Sequence, residues 1–344
     1  MDIHYWDGAA RGAAGALLAL LGVMFGRDLR ASVTARFGLV LIVGGLCYLV
    51  ISCTPTATEW AWWNLPIQTL SVMTPGLFWV FVETWFDDEF ELRWFHPLGI
   101  AAVAAPGLIH NSPWQVRWLG DVSSLFSLIA IGLGLWAALR GRNGDLVEAR
   151  RRARLVLAIV IGGLIATVIT IEAQNGTATP AWRLTTVAAL TLLAMTLAIA
   201  LLGWRDPGLL SPPARSAVEP GGAALPDEGP LLAAVENLMR SERLYRTDRL
   251  TVTAVASRLG VPEYRLRRAI NQGSGARNFN AFLNHYRLDE VKAALIDPAQ
   301  REVPILTMAL DAGFGSLAPF NRAFKAATSL TPTAYRLRSL KAHD

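Results

Sequence analysis

Long apolar runs fill the first two-thirds of the chain, and an α-helix needs about 20 such residues to cross a bilayer core. Seven candidate runs occur, at roughly 9–26, 37–53, 66–86, 95–110, 120–139, 154–173 and 184–204. Lipid supplies no hydrogen-bond partners to a backbone, so runs of this length are expected to be helices. The second, fifth, sixth and seventh are convincing. The first is short and carries Arg11, and the fourth is short and holds Pro97 and Pro106, so both can be read as half-spans or tilted helices.

Arginines at the borders of the spans set the orientation. Arg27, Arg30 and Arg36 fall in the first loop, Arg93 in the third, and Arg140, Arg142, Arg150, Arg151, Arg152 and Arg154 in the fifth. The even loops offer only Arg117 and Arg183. Basic loops stay on the cytoplasmic side. Seven spans therefore put the N-terminus outside and the C-terminus in the cytoplasm, which in a bacterium means a multi-pass protein of the inner membrane. Trp6, Trp60, Trp62, Trp63, Trp114, Trp118 and Trp182 fall at the outer ends, where an aromatic belt belongs. A sharper alternative makes Glu59 and the neighbouring tryptophans part of a pocket for a small-molecule signal. Glu83, Asp121 and Glu172 are costly in lipid and call for internal partners or a site. The acidic cluster Asp87, Asp88, Glu89 and Glu91 is either a solvated loop or a competitor for a basic domain.

The composition changes abruptly after Trp204. Residues 205–228 are rich in Pro, Gly and Ala and read as a linker of roughly 25–30 Å root-mean-square span, which separates a domain at 1–204 from one at 229–344. The first 228 residues hold 15 Lys/Arg against 17 Asp/Glu, and the remainder 17 against 10. That last part is basic enough to suit a polyanion. The only cysteines, Cys47 and Cys53, are separated by roughly 9 Å of helical rise, too far for a mutual disulfide. With Asp2 and Asp7 at the start and no basic stretch before the first apolar run, no cleavable signal peptide is expected.

Within the basic tail two similar patterns recur some fifty residues apart, VASRLGVPEYRLRRAI and MALDAGFGSLAPFNRAF. In each a small residue precedes a glycine by four positions, Ala256 before Gly260 and Ala309 before Gly313. The small side chain lets two helices cross closely and the glycine permits a left-handed turn between them. Val255, Leu259, Val261 and Leu266 are the expected core of the first pair, with Met308, Ala312, Phe314 and Phe320 in the second. Leu231, Leu232, Val235 and Leu238 mark a preceding amphipathic helix, Thr251 or a neighbour begins the next, and Pro262 fits the first turn of its partner. Helical spacing continues from about 278 to 296, a connecting helix of roughly 30 Å. That length approaches the roughly 34 Å between successive major-groove faces of B-DNA. Pro304, Ser316 and Thr331-Pro332 mark further helix starts.

These residues, together with NFNAFLNHYRLDEVKAAL, ALDAGFGSLAPFNRAFKAAT and LTPTAYR, resemble the AraC/XylS-type transcription regulators over about 229–340. The resemblance implies an all-α, seven-helix domain with two helix-turn-helix units that bind asymmetric promoter sites. The apolar half looks like the multi-span regions of membrane-bound members of that family. The whole is then a polytopic transmembrane bundle followed by a soluble DNA-binding domain.

On the first reading helix Tyr264, Arg265, Arg267 and Arg268 are the groups left over by the buried Leu266 and Ile270. Arginine can hold a guanine edge through two hydrogen bonds. The positional match to the family favours Tyr264, Arg267 and Arg268 as base-facing; contact with phosphate is the alternative for each arginine. The second reading helix is poorer. Leu317, Ala318 and Pro319 stand where many relatives carry polar groups, which leaves Asn321 and Arg322. Lys325, Arg336 and Arg338 suit phosphates or water, and Ser329 replaces a glycine common in the family.

The chain has no phosphate-binding GxxxxGK[ST] loop, no HExxH pair and no nucleophile-base-acid set. His4, His96, His110, His285 and His343 are scattered, and Asn175-Gly176-Thr177 reads as a chance glycosylation triplet. No catalytic residue, cofactor or metal site is expected. The expected partners are double-stranded promoter DNA and membrane lipid, with a small-molecule signal, RNA polymerase and a second copy of the chain as further candidates. The competing reading is a transporter or receptor whose helical tail docks a protein.

Overall fold

The computed structural model describes residues 3–51, 64–157, 160 and 228–340, apart from 31, 89, 113, 115 and 149. Among these residues the chain is all-helical and forms no strand beyond one isolated bridge. It divides into two compact units, 1–142 with 149–216, and 143–148 with 217–344. The expected sixth span beyond residue 157, the seventh span, the 205–227 stretch, Trp60, Trp62, Trp63, Trp182 and Glu172 lie outside the described residues.

The first unit contains α1 (Ile3–Arg27), α2 (Val33–Ile51), α3 (Leu65–Phe86), α4 (Phe95–His110) and α5 (Arg117–Arg140), followed by helical residues at 150–157. Among the described residues four stretches are long and apolar enough to cross a membrane: Asp7–Arg27, Val33–Ile51, Leu65–Phe86 and Trp118–Gly144. The first of these is the run that carries Arg11. The helix accommodates Arg11 by pairing it with Asp7 one turn earlier at 2.8 Å and by letting it donate to Leu49 O at 3.1 Å. A charge in lipid is tolerated when neutralised in this way. The doubtful fourth run stays short, at 16 residues, with Pro106 inside it.

Small residues let the helices approach. A Cβ on Gly76 would lie 3.0 Å from Ile100 Cα, so α3 and α4 touch nearly backbone to backbone, as membrane helices do in the absence of a hydrophobic drive between them. Ser123 Oγ donates to Val103 O and Thr34 Oγ1 to Thr84 O, which ties α5 to α4 and α2 to α3. Glu83, singled out as costly, meets His96 at 2.9 Å. Arg93 N–H donates to the other ring nitrogen, so the proton sits on Nε2 and points at the carboxylate. Asp121 is exposed on α5. Asp87 and Asp88 of the acidic cluster pair with Arg140 and Arg150 of this same unit.

The arginine-rich stretch enters the packing of the helices. Arg150 and Arg154 are almost fully buried. Arg150 donates to Trp85 O, and Arg154 donates to Phe86 O and Ala138 O. These carbonyls end α3 and α5, and a helix C-terminus both lacks donors and carries negative partial charge. Arg154 also stacks its guanidinium 4.4 Å over the Phe86 ring. Replacing Arg154 by leucine leaves two buried carbonyls without their charged donor, and should cost roughly 3 kcal/mol. The check is a lowered thermal midpoint of tryptophan fluorescence for the full-length protein in detergent.

Candidate nucleic-acid interface

The second unit contains α6 (Gly229–Ser241), α7 (Val252–Leu259), α8 (Glu263–Ser274), α9 (Phe279–Ile296), α10 (Ile305–Asp311), α11 (Leu317–Thr328) and α12 (Pro332–Leu340). It has two apolar cores. Val235, Met239, Val255, Leu266, Ile270, Phe279, Phe282 and Leu283 build the first, and Leu288, Val291, Leu295, Met308, Phe314, Phe320 and Phe324 the second. The 18-residue α9 contributes its first half to one core and its second half to the other.

Each helix pair is closed as its sequence pattern requires. Thr251 caps α7 by accepting from Ala254 N–H, and Gly260 ends it at φ 65°, with Val261 N–H returning to Ala256 O. Pro262 stands at the N-cap of α8, one place before the expected first turn. In the second pair Gly313 takes φ 93°. Ser316 occupies the N-cap of α11 without a side-chain cap bond, and Ser329 adopts the left-handed conformation, φ 59°, that a glycine there would take.

The two pairs are locked together by a contact absent from the sequence reading. The Tyr245–Arg246 turn abuts Gly313, where a Cβ would lie 2.8 Å from both Arg246 Cα and Tyr245 O. Arg287, buried on α9, donates to Tyr245 O at 2.8 Å and lies 5.7 Å over the Phe314 ring. Burial pulls its guanidinium below its ordinary value, opposed by the charge of Asp248. Arg246 pairs with Glu290 of α9 in the same seam.

Residues 255–338 match the family model described as a helix-turn-helix domain. The second unit carries an AraC-type DNA-binding domain. Such a module is regulatory rather than catalytic. No curated protein and no solved structure matches the chain.

Within the AraC-type domain Tyr264, Arg265, Arg267 and Arg268 all lie on α8, but in unequal settings. Tyr264 is exposed. Arg267 is only 3% exposed; it donates to Asp145 O at 2.7 Å and pairs with Glu263. Arg265 and Arg268 both pair with Glu228, a nearly buried carboxylate immediately before α6. Hydrogen bonds from Arg268, then Arg265, hold the Glu228 carboxyl below its ordinary value of 4.5, against the opposing effect of burial. On α11 Asn321 and Lys325 are exposed and Arg322 is half-buried. Arg336 of α12 is turned inward, donating to Val303 O at 2.9 Å and Arg301 O at 3.3 Å, so here it braces the entrance to α10. Sequence reasoning passed over Arg287, Glu228 and the Asp145-Leu146 pair. The last left a trace, since Leu146 and Val147 are the large apolar residues in an otherwise charged stretch, RGRNGDLVEAR.

Two outcomes test this architecture. Gly313→Ala forces a Cβ into a left-handed position and into the Tyr245 turn at once, and should cost about 3 kcal/mol. It is read as faster amide exchange in α10 and α11 with α7 and α8 unchanged. Because the Glu228 carboxyl is depressed in the folded chain, its stabilising effect is complete above pH 4.5 and disappears as pH falls through the lower folded value. The stability gap between wild type and Glu228→Gln, followed by denaturant unfolding, should accordingly stay constant above pH 4.5 and shrink as the pH is lowered below it.

Proposed function

We propose that the chain is a membrane-bound one-component transcription regulator, whose apolar half receives a signal and whose AraC-type domain binds promoter DNA from the cytoplasmic side of a bacterial inner membrane. The observation that carries this reading is the presence, on one chain, of four span-length apolar helices and an AraC-type domain. Residues 229–344 hold 17 Lys/Arg against 10 Asp/Glu, a net +7, and counterion release favours such a domain on DNA.

Tyr264, Arg265, Arg267 and Arg268 of α8 and Asn321 and Arg322 of α11 are the groups proposed to meet base edges or the adjoining backbone. Lys325 is proposed to contact phosphate, and Arg336 to do so on leaving the carbonyls of Arg301 and Val303 that it holds here. An α9 of about 27 Å supports two reading helices spaced along one face of the duplex, since successive major grooves recur every 34 Å or so. RNA polymerase, a small-molecule signal and a second copy of the chain are the further partners this reading calls for.

The experiment is a mobility shift of full-length protein in detergent on duplexes selected from a random pool. Wild type should retain a sequence consensus. Arg268→Ala should weaken binding to that consensus by roughly 5- to 150-fold, the value of one bidentate base contact, and relax one position of it. Lys325→Ala should weaken all sequences alike and lower the salt slope by about 1. A wild-type protein that enriches no sequence and shows no salt dependence would overturn the reading.

A further inference from the structure

Asn143–Glu148 belongs to the second compact unit, although the chain before it, to Arg142, and after it, from Ala149, belongs to the first. The segment is firmly seated. Leu146, 2% exposed, is part of the apolar core formed with Val235, Leu266 and Phe279. Its N–H donates to Arg277 O at 2.9 Å. Asp145, fully buried, faces Asn278 in an antiparallel bridge, and its carbonyl accepts from Arg267. Glu228, from just ahead of α6, engages Arg265 and Arg268 on the same helix. All three arginines of the first reading helix are thus bound to oxygens of this chain that lie outside the family-matched 255–338 region or, for Glu263, on the helix itself.

We propose that the 143–148 segment, assisted by Glu228, is a built-in competitor of DNA for the first reading helix, so that promoter binding requires the segment to leave. The inference rests on the DNA-binding reading above and adds its control. Its chemistry is that of replacement: a backbone carbonyl and two carboxylates offer the guanidinium groups the same acceptors that base edges and phosphates would. Arg267, at 3% exposure, reaches no base edge while it serves Asp145 O. A competitor on the same chain acts at an effective concentration of roughly millimolar order, far above that of any promoter, so even a modest intrinsic affinity suffices. Only Gly141 to Ala149 separates α5 from the helical residues at 150–157. The chain leaving α5 therefore runs directly into the segment that holds the reading helix.

The test locks the segment. Asp145 and Asn278 form a non-hydrogen-bonded antiparallel pair, as the adjoining Leu146 N–H to Arg277 O bond implies. Such pairs have Cα atoms about 4.5 Å apart, within disulfide reach. In full-length protein with Cys47→Ser and Cys53→Ser, the double variant Asp145→Cys/Asn278→Cys is oxidised and then reduced, and its affinity measured for a duplex selected from a random pool by the wild-type chain. The oxidised form should bind at least ten-fold more weakly than the reduced form of the same variant, and Leu146→Ser, which loosens the anchor, should bind several-fold more tightly than wild type. Equal affinity of oxidised and reduced forms overturns the competitor. So does weaker binding by Leu146→Ser when amide protection in α7 to α9 is retained. Failure of every form to enrich any duplex removes the DNA-binding reading itself, and the competitor falls with it.

Discussion

A helix that ends inside or beside lipid exposes carbonyls that no water satisfies, and the first unit depends on how those ends are closed. Arg150 and Arg154 do it from a distance in sequence, donating to the last carbonyls of α3 and α5 while Asp88 balances Arg150. These arginines are thereby drawn into the packing, where a cation beside a helix C-terminus is favoured by the dipole. Arg11 obeys the same constraint at the opposite position in the chain, with Leu49 O near the end of α2 as its acceptor. Both stems of the 143–148 segment are in consequence fixed: α5 ends under Arg154, and the residues from 150 onward are pinned by their own side chains.

In the second unit the limiting problem is relative placement of two small cores. Each core alone is made of three or four short helices, too few to bury much, and α9 solves this by serving both. A shared helix fixes spacing but leaves rotation about its axis. Arg287 and the Tyr245 turn against Gly313 remove that freedom, because a buried guanidinium that gives up its carbonyl partner loses a charge-assisted hydrogen bond with nothing in exchange. Spacing and rotation together are what two reading helices need if both are to address one duplex.

Periodicity and turn chemistry made much of this legible from sequence. Gly260 and Gly313 take positive φ, Ala256 and Ala309 are buried at the crossings, and the connecting helix runs as its spacing implies. Length and apolarity marked the four helices that are long enough to span a membrane among the described residues. What stayed hidden were contacts of polar groups across long sequence separations: Arg11 is matched by Asp7 and Leu49 O, and Arg336, expected at a phosphate or in water, turns inward. Position within a motif fixes where a side chain starts, but a long flexible arginine ends wherever an acceptor is nearest. For Arg265, Arg267 and Arg268 the nearest acceptors come from Glu228, Asp145 and Glu263, and the first two of these no helical pattern could have located.

The inequality of the two reading helices gives the proposed competition a particular consequence. Helix α8 presents three arginines, and each is engaged by the chain. Helix α11 begins Leu317-Ala318-Pro319 and exposes Asn321 and Lys325, a surface suited to phosphate and to thymine methyl contact more than to bidentate base recognition. Covering α8 therefore removes most of the discriminating chemistry while leaving sequence-tolerant contacts at α11 in place. A chain held in this state would remain weakly associated with DNA in general, and release of 143–148 would add specificity rather than bulk affinity. For a domain tethered to a membrane, whose search for a promoter is restricted to DNA that comes near, keeping the tolerant contacts available throughout is the arrangement that shortens that search.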